Sequence, residues 1–67
     1  MSLEYIRNTY GVPAYKDVRV RYTGSDGPQE GIIVGALNGY VEIKLDGQLQ
    51  ARPYHPTYGL EYLLPKA

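Results

Sequence analysis

The stretch Gly31-Ile32-Ile33-Val34-Gly35-Ala36-Leu37-Asn38-Gly39-Tyr40-Val41-Glu42-Ile43-Lys44-Leu45-Asp46-Gly47 decides the fold. Asn38-Gly39 stands between two apolar alternations. A type I′ turn needs positive φ at both central residues, and Asn-Gly supplies it most readily. With these two residues as the loop, Leu37 faces Tyr40, Ala36 faces Val41, Val34 faces Ile43 and Ile32 faces Leu45. Side chains alternate along a strand, so Ile32, Val34, Ala36, Val41, Ile43 and Leu45 are expected on one face, over a core. The opposite face then carries Ile33, Gly35, Leu37, Tyr40, Glu42 and Lys44. A one-residue slip would bury Glu42 and Lys44, which argues for this register.

Upstream, Lys16-Asp17-Val18-Arg19-Val20-Arg21-Tyr22 alternates as a strand with Val18, Val20 and Tyr22 inward. The turn-rich run Thr23-Gly24-Ser25-Asp26-Gly27-Pro28 reads as a surface loop. Downstream, Gln48-Leu49-Gln50-Ala51-Arg52 is expected as a fourth strand. An odd-numbered loop at Asp46-Gly47 would turn Leu49 and Ala51 inward. Pro53 and Pro56 end that strand, Thr57-Tyr58-Gly59 suits a single 3₁₀ turn, and Leu60–Leu64 closes the set before Pro65. At the other end, Glu4–Tyr10 reads either as two helical turns stopped by Gly11 or as an extended arm. Met1-Ser2-Leu3 is given no structural weight.

These segments divide the 67 residues into an N-terminal arm or short helix (1–15) packing on a barrel, the barrel itself (16–64) and a tail (65–67). The expected fold class is all-β, a small five-stranded barrel. So short a chain buries only about 60% of its extended-chain surface. With no cysteine, no disulfide or thiolate zinc site can compensate, so self-association into a homo-oligomer is expected. Seven basic and seven acidic side chains cancel, unlike the basic excess usual in nucleic-acid binders. No apolar run approaches the roughly 20 residues of a membrane span and no signal peptide is visible, so a cytoplasmic location without membrane contact is expected. The eight tyrosines, with no phenylalanine or tryptophan, point to rings at the rim of the core and at contact surfaces.

Five short strands, a long loop after the first and a one-turn helix before the last resemble an SH3-like small barrel. Val18-Arg19-Val20-Arg21-Tyr22-Thr23-Gly24 followed by Glu30-Gly31-Ile32-Ile33-Val34-Gly35 is similar to a KOW-like opening. Further matches lie at Tyr5-Ile6-Arg7, Val12-Pro13-Ala14, Leu45-Asp46-Gly47, Tyr54-His55-Pro56-Thr57 and Leu60-Glu61-Tyr62-Leu63. Across nearly the whole chain these resemble a family of short, uncharacterised bacterial and prophage-type proteins. The length and layout also resemble the plasmid-borne type II dihydrofolate reductases, which assemble as tetramers. Of their Val-Gln-Ile-Tyr motif, Leu49-Gln50-Ala51-Arg52 keeps only Gln50, so the shared pattern is that of the barrel and not of the active site.

His55, alone and between two prolines, lacks the converging partners of a metal or catalytic set and reads as a turn residue. No nucleophile–base pair, carboxylate pair or phosphate-cradling loop is present, so neither catalysis nor a cofactor or metal is expected. Arg19, Arg21, Lys44 and Arg52 read as outward cations that, with Tyr40, could pair phosphates and stack bases. Against that stand Glu42 and Asp17 beside them, as on any solvated strand face. Ile33, Leu37 and Tyr40, on the outer face of the hairpin, form a candidate protein interface. Their alternative is to lie covered by Tyr5, Ile6 and Tyr10. The expected function is a non-catalytic binding module acting through protein–protein contacts, with nucleic-acid binding as the alternative and an oligomeric enzyme of the reductase type as the third reading.

Overall fold

The computed structural model describes residues 2–24 and 27–63. One helix, α1 (Leu3–Tyr10), precedes five strands: β1 (Arg19–Tyr22), β2 (Gln29–Leu37), β3 (Tyr40–Leu45), β4 (Arg52–Tyr54) and β5 (Leu60–Leu63). They form one antiparallel sheet in the order β4-β3-β2-β1-β5. The regular structure of the described chain is therefore mostly β, and the flanking strands β4 and β5 do not pair with each other. The sheet is nonetheless strongly curled. The rings of Tyr22 on β1 and Tyr54 on β4 approach to 4.7 Å between centroids. In a flat sheet those strands, three positions apart, would stand about 14 Å apart.

The hairpin turns where expected. Asn38 (φ 52) and Gly39 (φ 85) both take positive φ, and Leu37 faces Tyr40 and Ala36 faces Val41. Beyond that the register departs from strict alternation. Ile33 faces Ile43 and Gly35 faces Glu42, leaving Val34 as an unpaired bulge residue. Ile33 is therefore fully buried in the core, not on the outer face, while Val34 is 40% exposed and Ile32 faces outward opposite Lys44. The physical cause lies on the other flank of β2. Val20 pairs with Gly31 and Arg21 with Glu30. Holding Ile32 inward would have carried Glu30 inward with it, at the cost of an enclosed carboxylate. The extra residue at Val34 lets each half of β2 keep its own phase.

The core comprises Ile6, Ala14, Val20, Ile33, Val41, Ile43, Leu45 and Leu60. Of the two N-terminal alternatives the helix is the one formed. Ser2 caps it, its hydroxyl accepting from the Tyr5 amide at 3.2 Å, and Gly11 (φ 67) ends it. Such a short helix holds only by packing, which Ile6 supplies from within the core. Arg7 adds a second tie, donating to the Ala14 carbonyl at 2.9 Å with its guanidinium 4.2 Å above the Tyr15 ring.

The fourth strand lies later than expected. Residues 48–51 form a bend, and β4 is the short edge strand Arg52–Tyr54 with Pro53 inside it. Leu49, expected inward, is 95% exposed. A proline is tolerated there because an edge strand has one side without a ladder partner. Thr57–Gly59 makes a turn rather than a 3₁₀ helix. Leu64, expected in the closing strand, the 65–67 tail, and Ser25 and Asp26 of the loop lie outside the described residues. Among the described residues no helix is long and apolar enough to cross a membrane.

Tyr62 closes the core beneath the β4–β5 connection, its hydroxyl donating to the Pro56 carbonyl at 2.7 Å. Burial pushes its pKa up to about 12 from the ordinary 10.0. The folded state thus keeps this proton where the unfolded chain has released it. Its contribution is complete below pH 10 and is lost as the pH rises toward 12. Tyr62→Phe is expected to cost about 1 kcal/mol near neutrality through the lost hydrogen bond. It should also flatten the alkaline fall in stability, as read by urea melts between pH 9 and 12.

Candidate functional site

The outward face of β1, β2 and β5 carries an ion-pair network. Arg19 and Arg21 point away from Val20, and Glu30, Glu61 and Asp46 lie on the same side. Arg19 reaches both Asp46 oxygens, at 3.1 and 2.8 Å, and Glu30 at 3.3 Å. Arg21 lies 3.5 Å from Glu30 and 3.8 Å from Glu61. Two cations are thus matched by three carboxylates, which leaves little field to attract a polyanion.

The hydrogen bonds from Arg19 hold the Asp46 carboxyl below its ordinary 3.8, and those to Asp46 and Glu30 raise Arg19. A depressed carboxylate stabilises the folded state above its unfolded pKa and loses that contribution as the pH falls through the folded value. Asp46→Asn is therefore expected to be less stable than the parent chain at pH 7. The difference should shrink below about pH 4 and fade with added salt, because the pair is solvent-exposed. Paired thermal melts at pH 7 and pH 3 measure it.

Lys44 and Arg52 have no ion-pair partner among the described residues. They do not share a face. Lys44 faces Ile32 on the outward side, whereas Arg52 faces Ile43 and stands on the core-facing side at the sheet edge. The four cations expected on one platform are therefore divided: two committed to carboxylates, one free beside them, one round the edge.

Of the three apolar residues expected at an interface, Leu37 and Tyr40 are each 47% exposed and face each other at the hairpin tip; Ile33 is in the core. Tyr5 and Tyr10 keep 47% and 39% of their surface exposed, so α1 does not cover the tip by burying these rings. A cleft of about 350 Å³ opens on the outward face beside the Val34 bulge, walled by Ile32, Val34, Asp17, Lys44 and Asp46. Asp17, in its wall, has φ 72, an uncommon conformation for a residue with a side chain. A second cleft, of about 290 Å³, lies between Gln48, Leu49, Gln50 and Arg52. The Gln48 Oε1 is shielded from solvent and meets no donor among the described residues.

His55 is a turn residue. Its Nδ1 accepts from the amides of Thr57 and Tyr58, both at 3.1 Å, which places the ring proton on Nε2. The ring meets Tyr10 edge-on, with 5.6 Å between centroids. Among the described residues no group of three His, Asp or Glu side chains is placed to hold a metal ion. Residues that the sequence reading undervalued are Leu49, whose exposure follows from the late start of β4, and Asp17. No family model matches the chain, and no curated protein or solved structure matches it.

Proposed function

We propose that the chain is a non-catalytic SH3-like small barrel that works through protein–protein contacts and associates with itself. The observation that carries this reading is the pair Leu37 and Tyr40, half-exposed and mutually opposed on a hairpin whose turn is fixed by Asn38-Gly39. A rigid support lowers the ordering cost of a contact, and tyrosine supplies area with few rotatable bonds. The strand order and the curl that joins Tyr22 to Tyr54 support the barrel assignment. The nucleic-acid reading draws less support, because Arg19 and Arg21 are already paired and Arg52 faces away from Lys44.

Sedimentation across a concentration series tests the self-association, which should appear as mass above the monomer. A strict monomer at every concentration overturns that part. Leu37→Ser/Tyr40→Ser tests the tip: a partner captured by the parent chain should be lost, with thermal stability unchanged. A titration with single-stranded and duplex oligonucleotides at low salt should show no salt-sensitive binding. Tight, salt-sensitive binding would favour the alternative.

A further inference from the structure

Ile32 and the bulged Val34 give the outward cleft, about 350 Å³ in volume, an apolar floor. That is the size of a small-ligand pocket. The sheet order sets a charge on either side of this floor. Lys44 on β3 stands opposite Ile32, and across β2 the Asp17 amide donates to the Ile33 carbonyl at 2.8 Å. Two strand spacings, about 9.6 Å, thus separate the backbones that carry the two charges. Neither Lys44 nor Asp17 has an ion-pair partner among the described residues. The third charged residue of the wall, Asp46, is engaged by Arg19 through both carboxylate oxygens. Asp17 is also held firmly. The Ile33 amide donates back to the Val18 carbonyl at 3.0 Å, and Asp17 itself takes φ 72. Glycine adopts that conformation freely, so a carboxylate kept in it is local strain of the kind that gathers at binding sites.

We propose that this cleft binds a zwitterion whose two charges are separated by an aliphatic spacer. Its carboxylate meets Lys44, its ammonium meets Asp17, and its methylenes cross Ile32 and Val34. The two uncommitted wall charges select this class. A ligand with a single charge satisfies one of them and is repelled by the other. An α-amino acid carries both charges on one carbon, too close together to reach both walls. A free ω-amino acid has the required chemistry, and so does a lysine that ends a peptide, through its side-chain ammonium and terminal carboxylate. The Val34 bulge acquires a role here, since it turns an aliphatic side chain out of the core to complete the floor. Leu37 and Tyr40 do not line the cleft, so the site stands independently of the self-associating reading.

Titration of isotope-labelled protein with 6-aminohexanoate, followed by NMR, should give saturable shifts at the amides of Asp17, Ile32, Val34 and Lys44. Hexanoate and hexylamine, each with one of the two charges, should bind about tenfold more weakly, the effect of one lost charge-assisted hydrogen bond. Norleucine, with both charges at one end, should also bind more weakly. Equal binding by any of the three, or no saturable shift from 6-aminohexanoate at tens of millimolar, overturns the proposal. Asp17→Asn keeps a residue suited to positive φ. It should weaken 6-aminohexanoate about tenfold and leave hexanoate unchanged. Lys44→Gln should weaken it equally and leave hexylamine unchanged. Parent-like affinity for 6-aminohexanoate in either variant overturns the assignment. A short peptide ending in lysine, and the same peptide amidated at that end, separate the two sources. Tighter binding than 6-aminohexanoate, lost on amidation, points to a chain terminus; weaker binding points to the free amino acid. A strictly monomeric parent chain would overturn self-association and leave this test as it stands.

Discussion

Ile33→Ala is expected to remove about 3 kcal/mol of folding stability, whereas Val34→Ala should change it by well under 1 kcal/mol. The two residues are adjacent, both β-branched and in one strand, so propensity does not separate them. Their environments do. Ile33 is fully buried opposite Ile43 in the core formed with Ile6, Val20 and Val41, and truncating it leaves a cavity. Val34 is the unpaired residue of the bulge, with much of its surface in water. Folded domains hold about 0.05–0.15 kcal/mol per residue, so the loss at Ile33 is a large share of the stability of a chain this short. Urea denaturation of both variants decides the matter. Equal losses, or a greater loss at Val34, would mean that β2 runs without the bulge.

The second large effect is expected at Gly31. It faces Val20 on one side and Leu45 on the other. A Cβ built there would stand 2.5 Å from the Lys44 carbonyl oxygen and 2.7 Å from the Leu45 Cα. Both are backbone atoms of β3 and cannot rotate away, so relief requires β2 and β3 to separate in the middle of the sheet. Gly31→Ala is expected to cost about 3 kcal/mol, the upper part of the usual range for overpacking. The added Cβ brings the ordinary propensity gain of alanine over glycine in a strand, and here that gain is overridden. Gly35 gives the comparison. The atom met there is the Glu42 Oε1 at 3.1 Å, the end of a flexible side chain, so Gly35→Ala should be much milder. Thermal melts of the two variants, side by side, check the contrast.

The turn at Asn38-Gly39, the inward set Val20, Val41, Ile43 and Leu45, and the helix stop at Gly11 were legible because each follows from a short-range rule. The bulge was not, because it arises from a conflict between two partners of one strand. The turn fixes the phase of β2 against β3, and β1 fixes another. The signal was present in Glu30: strict alternation from Ala36 back through Ile32 carries that carboxylate inward. Continuing the alternation two residues further would have exposed the mismatch. The late β4 was obscured for a similar reason. Gln48–Arg52 alternates well enough for a strand and Pro53 suits its end, yet at an edge a proline can sit within the ladder. Ser2, given no weight in sequence, caps α1 through one hydroxyl. At the surface, the outward placement of Arg19 and Arg21 was legible from β1 alone. Their neutralisation by Glu30, Asp46 and Glu61 depends on registers across four strands and was not.

Pro53 has a consequence for how copies of this chain can multiply. An uncovered flank of a sheet is a template onto which a foreign strand can hydrogen-bond, and from there fibrous stacking can spread. On the β4 flank that template spans three residues, and the middle one has no amide proton to offer. Lateral recruitment there is cut short, so stacking by strand addition is interrupted on that flank.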